Sequence, residues 1–306
     1  MPLQIVVVSG KGGTGKTTLS SSLVYLFNAR KFPTVGIDAD VEAPDLILAL
    51  GGGKLINAEE IYESSIATID YMRCTKCMEC INACQFKAIR NLKGYPDIIY
   101  ELCEGCGTCA IVCPEKVISF KRIMTGRIEV YQTRYGYIVT GRLELGRRNS
   151  GLLVDIVRNK ARTVLENPDN QVLIIDAAPG IGCPVISSIV GTDYAIIVSE
   201  PTESALNSAR RVFELIKHFN IPTGLVINKY DINESFVKTI ENWADNNGID
   251  LLGKIPFDSA VPESYASMIP LLEFARNSSA GQAVLRIYEV LLEKLKALGK
   301  LSKGDM

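Results

Sequence analysis

Histidine is almost missing. His218 is the one imidazole in 306 residues, so a histidine-built metal site and a distributed proton relay are both excluded, and proton chemistry falls to carboxylates or to a substrate phosphate. Net charge is missing too: 33 basic residues against 34 acidic leave −1, which creates no overall field toward nucleic acid or an anionic membrane. No apolar run reaches the roughly 18 residues that span a bilayer. Met1-Pro2-Leu3 passes straight into Ile5-Val6-Val7-Val8 without a basic region or cleavage site. These absences predict a cytoplasmic protein with no nucleic-acid partner and no membrane docking.

What remains is ordinary globular composition, 47% hydrophobic and 22% charged, which excludes a disordered chain. The length suits about two compact units. Short apolar runs at Leu3 to Val8, Thr34 to Asp38, Val172 to Asp176, Tyr194 to Ser199, Gly224 to Asn228 and Leu251 to Ile255 read as buried strands. Between them, Lys16 to Arg30, Ser150 to Glu166, Glu203 to Phe219 and Glu234 to Asn247 carry apolar residues at helical spacing. This alternation predicts an α/β fold with a mostly parallel sheet covered by helices on both faces, and places cofactors at the carboxyl ends of the strands. The amphipathic stretch Ala283 to Leu295 mixes acids and bases on its polar side and reads as a helix packed on the sheet.

The alternation stops between about Ile69 and Arg148. Eight of the nine cysteines fall within 40 residues there, which predicts an inserted domain at 71–120 between two parts of the main domain, 1–70 and 121–306. Alternating residues around Gly126, Gly136 and Gly141 predict two short hairpins over 121–148 that carry the chain back. Arg134, Arg142, Arg147 and Arg148 make that return segment basic and read as a solvated rim.

Gly10-Lys11-Gly12-Gly13-Thr14-Gly15-Lys16-Thr17 satisfies G-x-x-x-x-G-K-[ST] between a strand and a helix. The glycines let successive N–H groups curl toward one point, where the helix dipole adds to the field. Lys16 is expected on the β and γ phosphates, Thr17 on Mg²⁺ and Thr18 on the α phosphate. Lys11 is a second lysine in the loop. The KGGTGKTT setting resembles the deviant Walker motif of the MinD/ParA/Mrp and nitrogenase Fe-protein ATPases, and the resemblance covers the chain apart from the insert. It implies that Lys11 reaches the nucleotide of a facing subunit, and hence an ATP-sandwich homodimer. Ile37-Asp38-Ala39-Asp40-Val41 resembles that family's switch I, with Asp40 positioning the attacking water and Asp38 supporting the metal shell. The strand Val172 to Asp176, followed by Pro179-Gly180, resembles switch II, and it implies that Asp176 holds Mg²⁺ through water. Ala178-Pro179 stands where the family has a proline pair.

Val226-Ile227-Asn228-Lys229-Tyr230-Asp231 contains the NKxD string by which GTPases read guanine, so the residues alone allow GTP. MinD-like relatives carry a similar segment with the Asn on adenine, and the resemblance implies ATP, bound at its base by Asn228, Lys229 and the loop at Pro256.

The insert is a tandem repeat. Cys74, Cys77, Cys80 and Cys84 recur 29 residues on as Cys103, Cys106, Cys109 and Cys113, each set spaced C-x₂-C-x₂-C-x₃-C. This is the bacterial ferredoxin run, in which the fourth cysteine crosses to the other cluster. It assigns Cys74, Cys77, Cys80 and Cys113 to one 4Fe-4S cluster and Cys103, Cys106, Cys109 and Cys84 to a second. Structural zinc, the alternative, gives no reason for the third cysteine. Cys183 lies seven residues after Asp176, close to the offset of a cluster cysteine in the nitrogenase Fe protein. A buried inert thiol and a contact with metal or a partner both stay open for it. The function expected is a Mg-dependent ATPase gating electron transfer to an unidentified redox or cluster-acceptor partner. The alternative is a cluster-assembly carrier of the Mrp type, although no cysteine follows Cys183.

Overall fold

The computed structural model describes residues 2–147, 150–165 and 171–301. They form two compact units: Met1–Ala58 with Ile128–Arg142 and Ser150–Met306, and Glu59–Arg127 with Leu143–Asn149. The chain begins β1 (Leu3–Val8), α1 (Lys16–Ala29), β2 (Thr34–Ala39), α2 (Leu46–Ala49) and β3 (Lys54–Ile61). It continues through β4 (Ser64–Ile69), α3 (Glu79–Ala83), β5 (Ile89–Leu92), β6 (Tyr95–Ile98), α4 (Thr108–Val112) and β7 (Ile118–Ile123). Then come β8 (Gly126–Thr133), β9 (Gly136–Leu143), α5 (Ser150–Ala161), β10 (Val172–Ala177), α6 (Cys183–Ile189), β11 (Tyr194–Ser199) and α7 (Glu203–His218). β12 (Thr223–Asn228), α8 (Glu234–Asn246), β13 (Asp250–Ile255), α9 (Ala260–Ala266), α10 (Leu271–Phe274) and α11 (Ser279–Ala297) complete it.

The main sheet runs β13-β12-β11-β1-β10-β2-β9-β8-β3. β1, β2, β10 and β11 are buried at every position, as parallel strands covered on both faces must be. They pair in parallel, with Asp176 of β10 in register with Asp38 of β2. From β1 the chain builds outward in one direction through β10 and β2 and in the other through β11, β12 and β13, so the crevice of the sheet opens at the carboxyl end of β1. α7 is stopped at both ends by its sequence: Thr202 accepts from the Ala205 N–H, and Lys217 and His218 occupy the last turn. α11, capped by Ser278, buries Val284, Ile287, Leu291 and Leu295 in the core. Among the described residues, no helix is long and apolar enough to cross a membrane.

The return segment differs from the two hairpins expected. β7 pairs antiparallel with β4, while β8 and β9 form one hairpin through Arg134 and Tyr135, and β9 joins the main sheet parallel to β2. Gly136 makes that turn at φ 116°. Gly141 lies inside β9, where a Cβ would stand 2.7 Å from Val41 and 2.8 Å from Val157; it is a close-packing position and not a turn. Arg142 pairs with Glu129 at 3.0 Å and Arg134 with Glu273 at 3.5 Å. Arg148 and Glu166 lie outside the described residues.

The smaller unit holds the β4–β7 pair, the β5–β6 hairpin and the short helices α3 and α4. It reaches beyond 71–120 because β4 and β7 pair from Ser64↔Ile123 to Ile69↔Ile118. The sequence repeat is also a backbone repeat: Lys76, Met78 and Lys87 sit at φ 59°, 65° and 52°, and Gly105, Gly107 and Lys116, 29 positions on, at 63°, 88° and 50°.

Candidate functional site

Between β1 and α1 the glycine-rich loop wraps an open space. Gly13 and Gly15 take φ 76° and 95°, a region that side chains enter at a cost. A Cβ on Gly12 or Gly13 would meet nothing within 4 Å, whereas one on Gly15 would stand 2.3 Å from Nδ2 of Asn228. Asn228 donates from Nδ2 to the Thr14 carbonyl at 2.8 Å, so the end of β12 is clasped to the loop. α1 starts with no side-chain cap and no acid in its first turn, which leaves its N–H groups and dipole for an anion. The loop, Lys16, Thr17 and Thr18 line a cleft of about 580 Å³, within the ~300–1,000 Å³ usual for small-molecule sites.

Opposite the loop stand carboxylates. Thr17 donates from Oγ1 to Asp176 at 2.7 Å and lies 3.2 Å from Asp45, and Ser20 donates to the other Asp176 oxygen at 2.9 Å. Burial lifts Asp176 to about 6, with Lys16 and Thr17 pulling the other way. Burial, then the nearby Asp176, holds Asp38 well above the usual carboxylate range. A divalent cation would relieve this crowding of acids. Thr17 and Asp176 are two oxygen donors of the kind Mg²⁺ takes alongside its waters.

The switch I acids divide. Asp40 lines the cleft, its carboxyl raised by burial and lowered by Lys16. Asp38 is fully buried and accepts the Leu46 N–H at 2.8 Å and the Asp40 N–H at 3.2 Å, so it shapes the turn that presents Asp40. Lys11 turns to Glu200 at 3.1 Å, and Lys229 meets the same carboxylate at 2.7 Å while also donating to the Gly13 carbonyl at 3.3 Å. Burial pushes the Glu200 carboxyl up, but the two lysines outweigh it and the net shift is downward.

On the base side the wall is Phe257, Val261, Pro262 and Tyr265; Phe257, the residue after Pro256, supplies the surface. Asp231 accepts the Phe257 N–H at 2.7 Å. Asp45, Tyr265, Ser20 and Glu200 were not anticipated. Ser20 lies three residues after Thr17 on one helical face and Glu200 directly follows β11, so both carry local signals. Tyr265 comes to the same cleft wall as Asp45 from a distant helix, and nothing near either residue in the sequence announces that meeting.

In the smaller unit Cys74, Cys77, Cys80 and Cys113 line one cavity with Ile69, Pro96, Val117 and Ile118. Cys80 and Cys109 are buried in a small core against which Cys84 and Cys103 pack. The Ala67 N–H points to Cys103 Sγ at 3.4 Å and the Ala88 N–H to Cys84 Sγ at 3.3 Å. Among the described residues, no three Cys, His, Asp or Glu side chains stand at metal-holding distances. The crowding has a cost: burial, then Cys77, pushes the Cys80 thiol up to about 11, and burial also raises Cys109. Such a thiol ionises readily only beside a positive centre, and the pocket lined by Cys74, Cys77, Cys80 and Cys113 offers the four-thiol donor set that an iron-sulfur cluster takes. Cys183 is exposed at the start of α6, contrary to the buried reading.

A glycine-rich loop at the carboxyl end of β1, a basic helix start and an acid on the adjacent strand define a P-loop nucleotide-binding α/β protein. The chain matches the CobQ/CobB/MinD/ParA nucleotide binding domain over residues 5–271 and belongs to that family. It is 33% identical to an uncharacterised protein of Methanocaldococcus jannaschii, over 95% of this chain and 97% of that one. It is 25% identical to the iron-sulfur cluster carrier protein of Pyrococcus abyssi, over 99% of this chain and 88% of that one. The fold is that of the septum site-determining protein MinD from Pyrococcus horikoshii, solved with Mg-ADP, at a TM-score of 0.60 and 19% identity, covering 97% and 98% of the two chains.

Proposed function

We propose that the chain is a cytoplasmic, Mg-dependent ATPase, paired as an ATP-bridged homodimer, that gates electron transfer through two 4Fe-4S clusters held by an inserted ferredoxin domain around residues 71–120. The observation that carries this is the single apolar cavity shared by Cys74, Cys77, Cys80 and Cys113, because its fourth thiol comes from the other copy of the repeat. Cys103, Cys106, Cys109 and Cys84 form the equivalent set. When bound, such clusters supply one-electron redox chemistry. The N–H groups of Ala67 and Ala88 stabilise thiolate charge, and the apolar lining excludes water.

At the nucleotide, the N–H groups of Gly12 to Thr18 and the Lys16 ammonium hold the β and γ phosphates, and Thr17 with Asp176 holds Mg²⁺. Asp40 orients a water whose oxygen bonds to the γ phosphorus as the bond to the ADP oxygen breaks. Lys11, released from Glu200, serves the facing subunit. ATP is favoured over GTP because Asp231, the acid that would accept from guanine, is turned to the Phe257 N–H and does not line the cleft that Asn228 and Lys229 reach.

A second reading, a carrier that delivers clusters as cargo, is favoured by the cluster-carrier relatives. Anaerobic reductive titration with and without Mg-ATP separates the two. A nucleotide-dependent shift of cluster potential is the result expected. Iron passing to an apo-acceptor at unchanged potential would establish carriage.

A further inference from the structure

The two cysteine loops repeat in backbone, and both expose their second cysteine, Cys77 and Cys106, yet they differ in charge. Residues 71–77 carry Arg73 and Lys76 and no acid, whereas residues 100–106 carry Glu101 and Glu104 and no base. In the second loop Glu101, Glu104 and Cys103 line a small cavity with Gly146 and Arg147, while Tyr100, 50% exposed, and Cys106 reach the surface beside acids. The first is open: Met72 is 95% exposed, Tyr71 48%, Tyr95 40%, and the ligand position Cys77 reaches the surface. Lys76 stands 3.9 Å from the centre of the Tyr95 ring, which packs edge-on against Tyr71 at 6.2 Å. The result is an apolar centre flanked by cations, where Asp70 accepts the Met72 N–H at 3.1 Å and Asp97, beside Tyr71, is paired with Arg90 at 2.8 Å.

The backbone supplies an independent reason to think these side chains are wanted. Lys76 and Met78 adopt φ 59° and 65°, a left-handed conformation that a non-glycine residue enters at a cost, where the second copy has Gly105 and Gly107. Gly105 is fixed by space, because a Cβ there would stand 2.3 Å from the Ser65 carbonyl. In that conformation the Lys76 ammonium lies over the Tyr95 ring.

We propose that Tyr71, Met72, Arg73, Lys76 and Tyr95 form the docking surface for a small acidic one-electron carrier protein beside the cluster held by Cys77. Charge selects the partner, because cations around an apolar centre steer an anionic surface to a site where one electron passes with no bond made or broken. This rests on the cluster reading above. Redox-docking interfaces are small and salt-sensitive.

The test is binding of the anaerobic full chain to an acidic plant-type ferredoxin, with basic cytochrome c as counter-probe, at low and high salt. Iron and sulfide are assayed in the same samples. The double variant Arg73→Leu with Lys76→Gly gives the first loop the residues of the second and relieves its backbone. It should weaken ferredoxin binding about tenfold or more at low salt, with the visible spectrum unchanged. Met72→Ser should weaken it less, and Glu101→Gln should leave it as it was. Failure of ferredoxin to bind, binding indifferent to the double variant, or tighter binding of cytochrome c would overturn the proposal. A chain lacking iron and sulfide would instead overturn the cluster reading, while the binding result still judged the surface.

Discussion

The larger unit is built around Ile5, Val7, Leu23, Phe27, Ile174, Ile196 and Leu291, all essentially inaccessible to water. The smaller one has a buried core of Ala67, Cys80, Ile89, Ile98 and Cys109, two of whose five members are the proposed ligands. Burial of apolar surface suffices to fix the first. A core that small contributes little burial for a unit of this size, so on the cluster reading the thiols' ligand supplies much of its order. The nucleotide cleft would then be assembled before its ligand arrives, and the cysteine unit with it.

Stripping iron with a chelator under mild oxidation gives the largest expected effect. Amide protection across Glu59–Arg127 should collapse while that of β1, β10 and β11 persists, measured by hydrogen exchange. Equal loss in both units would break the contrast. Next, Lys16→Ala should weaken ATP binding by about two orders of magnitude and leave the brown chromophore intact; unchanged affinity by calorimetry would remove the phosphate-loop assignment. Cys84→Ser should then destroy the cluster assigned to Cys103, Cys106 and Cys109 and spare the other, halving the iron. Electron paramagnetic resonance showing both centres intact would refute the crossed ligation.

How much of this the sequence revealed follows the same division between local and distant cause. β1 and β11 run over the residues that apolar patterning predicts, because every position in them is buried and each is bounded by polar or turn residues. The phosphate loop and the cysteine repeat are local strings. Asp45 and Tyr265 meet only because α9 returns to the cleft, and β9 reaches β2 only through pairing across about a hundred residues of chain. Gly141 reads as a turn yet is a packing position, because a glycine required by close contact looks the same in a string of letters as one required by φ.

The smallest effect lies wholly within the larger unit. Asp258 accepts N–H groups from Ala280 and Ala260 and the Ser279 hydroxyl. The Ala280 bond leads in pulling its carboxyl from 3.8 down to about 2. The folded value lies below the unfolded one, so this contribution is fully present above about pH 4 and is lost as pH falls toward 2. Asp258→Asn should lower the melting temperature by a few degrees at pH 7, less at pH 3, and leave the cluster spectrum unaltered. A deficit that does not shrink with acid would mean the cap acts by shape and not by charge.

Glu200 has a further consequence. One carboxylate bridges two ammoniums, Lys11 and Lys229, so it cancels one of their two charges and tethers both lysines to the end of β11. If Lys11 serves a facing subunit as proposed, it must first let go of Glu200, so closing the pair around a nucleotide trades one anion for another, and Glu200 is there to reclaim the lysine when the pair parts.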